Sequence, residues 1–138
     1  MMAGYMNTAQ RDDWETPRAM FAELDRQYGF TLDPCSTDAN AKCAKHYTKE
    51  DDGLSKSWAG EVVFCNPPYG RAIAPWVRKC AEESERATVV ALLPARTDTA
   101  WFHDYVYGKA DVTFIRGRVR FELGGGRPRP CDFPFDDC

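Results

Sequence analysis

The run Val62-Val63-Phe64-Cys65, followed at once by Asn66-Pro67-Pro68-Tyr69-Gly70, constrains this 138-residue chain more than any other stretch. Four consecutive apolar residues, two of them β-branched, predict a short buried strand. Pro67 and Pro68 have no N–H to donate, so the ladder must stop there. An Asn, a rigid kinked backbone and an aromatic ring are thereby presented at a strand's carboxyl end. In open α/β sheets that is where ligands bind.

Other segments read in the same way. Thr88-Val89-Val90-Ala91-Leu92-Leu93 is a continuous apolar run closed by Pro94, which predicts a central strand covered on both faces. Phe30-Thr31-Leu32-Asp33 alternates and halts at Pro34, Tyr47-Thr48 suggests a very short strand, and Ala110 to Ile115 predicts another. Between them lie helical patterns. Thr16 offers an N-cap and Pro17 a first helical residue, with Met20, Phe21 and Leu24 on one face and Gly29 at the end. Ala39 to Ala44 favours helix; Ile73, Trp76, Val77 and Cys80 share one side of another, with Pro75 tolerated in its first turn. Asp98 or Thr99 caps a third helix through Trp101, Phe102, Tyr105 and Val106. Arg116 to Phe121 alternates arginines with Val119 and Phe121, and Gly124-Gly125-Gly126 allows a tight turn, which predicts a C-terminal β-hairpin. Strands alternating with helices define an α/β fold. Residues 1–11 are small and polar and read as a flexible tail, leaving 12–138 as a single domain.

Composition narrows the function classes. A hydrophobic content of 43% with 13% aromatics suits a compact core and argues against disorder. No apolar run is long enough to span a bilayer and no signal-peptide core appears at the N-terminus, so a cytoplasmic location and reduced cysteines are expected. The six cysteines contain no C-x-x-C pair, which argues against a zinc site; no metal is expected. Net charge is −3, yet Arg116, Arg118, Arg120, Arg127 and Arg129 crowd one segment with only Glu122 among them. A basic strip on an acidic body can still meet a phosphate backbone.

The chemistry of Asn66-Pro67-Pro68-Tyr69 is specific. An Asn side-chain oxygen and the carbonyl of the next residue are two acceptors held in fixed relation. Together they can grip both hydrogens of a planar –NH2 group while its nitrogen attacks an electrophile, and Tyr69 offers a ring for a flat base to stack on. Asp33, at a strand's end, can accept from a ligand amine or from nearby backbone N–H groups. Arg96, after Pro94, can contact a phosphate or pair with Asp98.

These residues carry a family resemblance. Asn66-Pro67-Pro68-Tyr69 is similar to the catalytic tetrapeptide of S-adenosylmethionine-dependent amino-methyltransferases, which act on adenine N6, cytosine N4 or glutamine amides. Trp14-Glu15-Thr16-Pro17, Leu32-Asp33-Pro34-Cys35, Asp51-Asp52-Gly53-Leu54, the run from Ala91 to Thr99, and Phe114-Ile115-Arg116-Gly117-Arg118 resemble, in that order, the phage-type DNA N6-adenine methyltransferases. The resemblance implies an abbreviated Rossmann-like methyltransferase sheet flanked by helices. It implies S-adenosylmethionine as cofactor and double-stranded DNA as partner, with no membrane, in the cytoplasm of a bacterial host that carries the phage or prophage. Asn66, Pro67, Pro68 and Tyr69 would be catalytic on a flipped-out adenine. Thr16, Pro17, Asp33, Pro34, Asn66 and Asp52, with Asp51 second to it, would border the cofactor. Arg96, Arg116, Arg118 and Arg120 would meet DNA.

Three departures follow. No Gly-rich turn succeeds Asp33; Cys35-Ser36-Thr37-Asp38 stands there instead. The interval from Asp33 to Asp52 is short for a full βαβ repeat, so an element and the usual ribose-binding acid are expected to be abbreviated. The family's last apolar strand does not follow Phe133-Pro134-Phe135, which predicts an exposed sheet edge or a slot that a partner fills. Two further readings share the motif: a glutamine-amide protein methyltransferase, or an inactive remnant that binds cofactor or DNA.

Overall fold

In the computed structural model, the described residues are 2–7, as backbone, and 16–115. They form four strands and two α-helices in the order β1 (Met2–Asn7), α1 (Arg18–Tyr28), β2 (Val62–Cys65), α2 (Ile73–Glu83), β3 (Thr88–Pro94) and β4 (Asp111–Phe114). All pairings are parallel and the spatial order is β2-β3-β1-β4.

Beyond β2 the sheet continues as single bridges. Leu32 pairs in parallel with Val63, and Asp33 pairs in parallel with His46. The Thr31 and Leu32 amides donate to the Val62 carbonyl and the Phe64 amide to that of Leu32. The expected strand at Phe30–Asp33 is thus shortened to its bridging residues, because Pro34 supplies no N–H and the chain bends there. Ala39 to Ala44 is not helical. Turns run through it, and the Lys42 amide is taken up by Asp33 instead of by a helix. Side-chain competition for backbone donors of this kind overrides a helical propensity of a few tenths of a kcal/mol per residue.

The spatial order fixes where the chain reverses. From Leu32-Asp33 it moves outward to His46; it then returns to β2 and proceeds the other way, through β3 to β4. The switch point lies between Asp33 and the end of β2. Ligand crevices in parallel sheets form at such points, since neighbouring connections diverge and leave a gap.

The core is one cluster. Val89 to Leu93 are fully buried, as expected of an inner strand, and Val63, Phe64 and Cys65 with them. α1 presents Met20 and Leu24, while Phe21 packs edge-on to Phe64 with centroids 5.1 Å apart. α2 presents Ile73, Val77 and Cys80. Trp58 is fully buried, stacked on Trp76 at 6.4 Å, and its indole N–H donates to the Gly53 carbonyl. Its backbone N–H donates to the buried Glu83 carboxylate, which Arg86 and Lys79 also approach. An aromatic ring of this size buries 150–250 Å² in general and anchors the loop that carries it.

After β3, Thr99 caps the following helical turn by accepting the Phe102 amide. The turn then widens: Phe102–Val106 is a π-type segment, closed by the Tyr107 amide on the Phe102 carbonyl. Arg116 to Cys138, and with them the predicted hairpin and the question of a last strand, lie outside the described residues.

The first segment differs most from the sequence reading. Where residues 1–11 suggest a loose tail, Met2–Asn7 lies inside the sheet, paired with β3 on one side and β4 on the other. Its short, Gly-containing sequence carries little β-propensity; two flanking strands with open ladders supply the order instead.

Candidate active site

A cavity of about 570 Å³ opens at the switch point. Its wall draws on Thr16 before α1, Asp33 to Thr37 beyond the bridging strand, Tyr47 to Lys49, Asp52 to Leu54, and Phe64, Asn66 and Pro68 at the end of β2, with Trp76 from α2. Volumes of this order hold small organic ligands, and the mixture of aromatic faces with a few polar groups is the usual lining.

Each wall residue arrives for a local reason. Asn66 is carried past the last β2 residue by the two prolines that end the strand. It is half-buried, and its Nδ2 donates to the Thr16 hydroxyl at 3.0 Å. Thr16 is almost wholly buried, and α1 takes no side-chain cap, so its hydroxyl does not serve the helix. This corrects the simple N-cap expectation.

Asp33 is buried and accepts the amides of Lys42 (2.9 Å) and Cys35 (3.3 Å). Desolvation pushes its carboxyl up from 3.8 to about 6, more than the two backbone donors and the nearby Lys42 and His46 charges pull it down. The Cys35 amide, which stands where a Gly-rich turn would offer backbone donors to a ligand, is here turned onto Asp33. Next to Cys35, the Ser36 hydroxyl is buried and, among the described residues, finds no hydrogen-bond partner. A buried hydroxyl without a partner costs free energy unless a ligand or water engages it. Sequence pattern gave no sign of Ser36.

The two acids of Asp51-Asp52 separate cleanly. Asp51 accepts from the Thr48 amide (2.9 Å) and hydroxyl (3.1 Å), closing a turn. Asp52 instead lines the cavity, in a left-handed backbone conformation at φ 58°. Asp tolerates that region better than most residues, and such positions gather at ligand sites. Gly53 follows because nothing larger fits against Pro34.

Not every expected residue borders the cavity. Pro67 is buried, and Tyr69 is 6% exposed within the core cluster, outside the cavity wall. Pro17 also lies outside the wall, while Pro34 is in it. Arg96 is exposed on the loop after β3 and, among the described residues, makes no ion pair with Asp98; its carbonyl accepts from Thr99. Arg116, Arg118 and Arg120 lie outside the described residues. The cysteines near the site are poor nucleophiles, since burial first and the Asp33 charge second push the thiols of Cys35 and Cys43 up to about 12.

A parallel α/β sheet with a cavity at its switch point, walled by Asp33 after one strand and by Asn66 and Pro68 after the next, is an arrangement in which α/β domains commonly hold a small ligand. A model of the family described as DNA N-6-adenine-methyltransferase (Dam) matches residues 4–130, and the chain belongs to that family. A DNA N-6-adenine-methyltransferase of Escherichia phage T1 is 34% identical over 120 residues, covering 85% of this chain and 50% of that protein. One of Haemophilus phage HP1 is 30% identical over 118 residues, 82% of this chain and 68% of that protein. The putative methyltransferase YfdM of Escherichia coli K12 is 38% identical over 72 residues, 47% of this chain and 74% of its own. The chain spans about half the length of the phage T1 relative. No solved structure matches.

Proposed function

We propose that this protein transfers a methyl group from S-adenosylmethionine to the N6 amine of adenine in double-stranded DNA, as a single catalytic domain with a Rossmann-like methyltransferase sheet. The observation that carries the reading is Asn66 in the wall of the switch-point cavity, oriented by Thr16, in a chain of this family. The sheet's reversal between Asp33 and β2 supports the finer fold assignment.

The wall residues fit the cofactor. Among the described residues Ser36 offers a buried hydroxyl with no hydrogen-bond partner and Asp33 a carboxylate hydrogen-bonded to backbone amides, while Tyr47, Phe64 and Trp76 offer ring surface for a purine. Asp33, Ser36 and Asp52 would hold the polar parts and the rings the flat part. When bound, S-adenosylmethionine supplies a methyl carbon activated by a positively charged sulfur.

The chain's own contribution is positional. The Asn66 Oδ1 and the Pro67 carbonyl accept the two amine hydrogens of a base that has left the stack, aligning its nitrogen with the methyl carbon. S-adenosylmethionine held by these residues would supply the methyl group and leave without it, and the amine oriented by Asn66 and Pro67 would give up one proton to water on accepting it. Acceptors fixed in place stabilise the positive charge that gathers on the amine and need no reorganisation. Tyr69 stacks on the base once its buried ring face is uncovered by DNA binding. Arg96 and the arginines Arg116, Arg118 and Arg120 meet phosphates. The phage relatives support action in the cytoplasm of a bacterial host.

Purified protein incubated with methyl-labelled S-adenosylmethionine and unmethylated DNA tests the reading. Label recovered as N6-methyladenine supports it, and Asn66→Ala then abolishes transfer while cofactor binding persists. Label in protein glutamine, or in nothing, overturns it.

A further inference from the structure

Between Asp33 and Lys42 the chain forms a loop that one carboxylate holds at both ends. Asp33 Oδ1 accepts the Cys35 amide at 3.3 Å and Oδ2 the Lys42 amide at 2.9 Å. The Ser36 amide donates to the Tyr47 carbonyl at 3.2 Å, and the Tyr47 amide to the Asp33 carbonyl at 3.0 Å. Inside the loop, Thr37 and Asn40 serve each other: the Thr37 amide donates to Asn40 Oδ1 and the Asn40 amide to Thr37 Oγ1. The backbone is thereby fixed without the side chains of Ser36 and Lys42, and both of these residues line the cavity.

The two side chains have a chemistry in common. The Ser36 hydroxyl is a donor, buried and without a hydrogen-bond partner among the described residues. The Lys42 ammonium is a donor with a full charge, and that charge helps to lower the Asp33 carboxyl, behind burial and the two backbone bonds. A buried hydroxyl is stabilised by a partner, and a cation in a cavity wall is met best by an anion that accepts its hydrogens. A neutral donor and a charged one on a loop tied down at several points suit a carboxylate, which has two oxygens and accepts at both. An occupant whose only charge is positive meets repulsion at Lys42 instead.

We propose that Ser36 and Lys42 hold the carboxylate at the amino-acid end of the cofactor, and so are the residues by which this cavity prefers a nucleoside bearing an amino acid to one without it. The inference rests on the S-adenosylmethionine reading of the cavity. It goes beyond that reading in the group recognised and in Lys42, which belongs to none of the sequence motifs that carry the family resemblance. Asp33 then has a positioning part as well, since its carboxylate closes the loop that carries both donors.

Calorimetric binding of two non-reacting ligands tests it: S-adenosylhomocysteine, and the same thioether lacking only the carboxylate. Charge-assisted hydrogen bonds of this kind are worth on the order of ten- to a hundredfold in affinity, and the wild type should prefer S-adenosylhomocysteine by about that factor. Ser36→Ala and Lys42→Met each weaken S-adenosylhomocysteine about fivefold or more and do not weaken the decarboxylated ligand, so the preference shrinks. Undiminished binding of the second ligand also shows that each variant has folded with its cavity intact. Lys42→Arg keeps the charge and most of the preference.

Equal wild-type affinities for the two ligands overturn the proposal and leave the cofactor reading standing. So does either variant if it weakens both ligands alike, which makes its residue a part of the loop's shape, or if it weakens neither. Failure of S-adenosylhomocysteine to bind removes the proposal and the cofactor reading together. A protein that binds it but methylates no DNA loses the transfer reading alone, and the affinity ratios still decide the carboxylate site.

Discussion

Gly53 lies against Pro34 so closely that a Cβ added to it would meet the Pro34 carbonyl oxygen at 2.2 Å and the Trp76 ring at 3.1 Å. The loop carrying Asp52 is thus seated directly on the turn that follows Asp33. Gly53→Ala forces the two apart. Overpacking of a tight contact costs about 1–3 kcal/mol, and here the obstacle is backbone, which yields less than a side chain. The expected result is a lower denaturant midpoint and, on the proposed reading of Asp52 as a cofactor contact, weaker cofactor binding, since Asp52 moves with the loop. An Ala variant with wild-type stability and affinity would show that the seating is unimportant.

Most of this was legible one strand at a time and not as a whole. Pro34, Pro67-Pro68 and Pro94 each mark a strand end, and the helices with apolar faces at Met20–Leu24 and Ile73–Cys80 appear where periodicity puts them. The preference for Asp52 over Asp51 came from the family resemblance; its physical basis was not readable, because both sit in a turn and only the Thr48 contact of Asp51 separates them. Nor was β1, whose order comes from partners far along the chain. Ser36 and the fully buried Trp58 escaped because neither stands in a periodic pattern; their roles come from what packs on them.

Asp33 predicts a pH dependence of definite sign. Its carboxyl is raised by burial from 3.8 to about 6, so between those values the folded protein holds a proton that the unfolded chain releases. The protonated group's stabilisation is complete below about pH 4 and lost as pH rises through 6, up to about 3 kcal/mol in all. Compared with Asp33→Asn, which cannot ionise, the wild type should lose stability over that window, as read from denaturant melts at successive pH values. On the proposed reading, cofactor affinity moves oppositely, strengthening as Asp33 ionises, and Asp33→Asn flattens that profile. Parallel curves for the two proteins would exclude Asp33 as the titrating group.

Glu83 acts in the other direction. Burial pushes its carboxyl up, but the Trp58 amide, the Arg86 guanidinium and the Lys79 ammonium outweigh that and hold it below the ordinary range. Its contribution is therefore present above the usual glutamate range and lost as pH falls through the lowered value. Glu83→Ala leaves the Trp58 amide without an acceptor in the interior and should cost about 2–3 kcal/mol at neutral pH. Glu83→Gln keeps an acceptor for that amide and should cost less. Thermal melts at pH 7 and at about pH 2, below the lowered range, should show the penalty shrinking in acid; a constant penalty would mean that packing, not charge, is what Glu83 contributes.

The most exacting consequence concerns β1. An inner strand commits its backbone groups to the neighbours on either side, and Gly4 pairs with Ala91 of β3 and with Val112 of β4. Proline at that position removes one N–H from the sheet and leaves a facing carbonyl unpaired, a loss of about 1–3 kcal/mol, and its ring crowds the adjacent ladder as well. Gly4→Ala keeps the N–H and serves as the control. The expected outcome is a clear drop in melting temperature for Gly4→Pro and little change for Gly4→Ala. Hydrogen exchange should localise the damage, with amides of β3 from Val89 to Leu93 and of β4 losing protection while α1 keeps its own. If Gly4→Pro melts with the wild type and β3 stays protected, Met2–Asn7 is not an inner strand and the sheet closes without it.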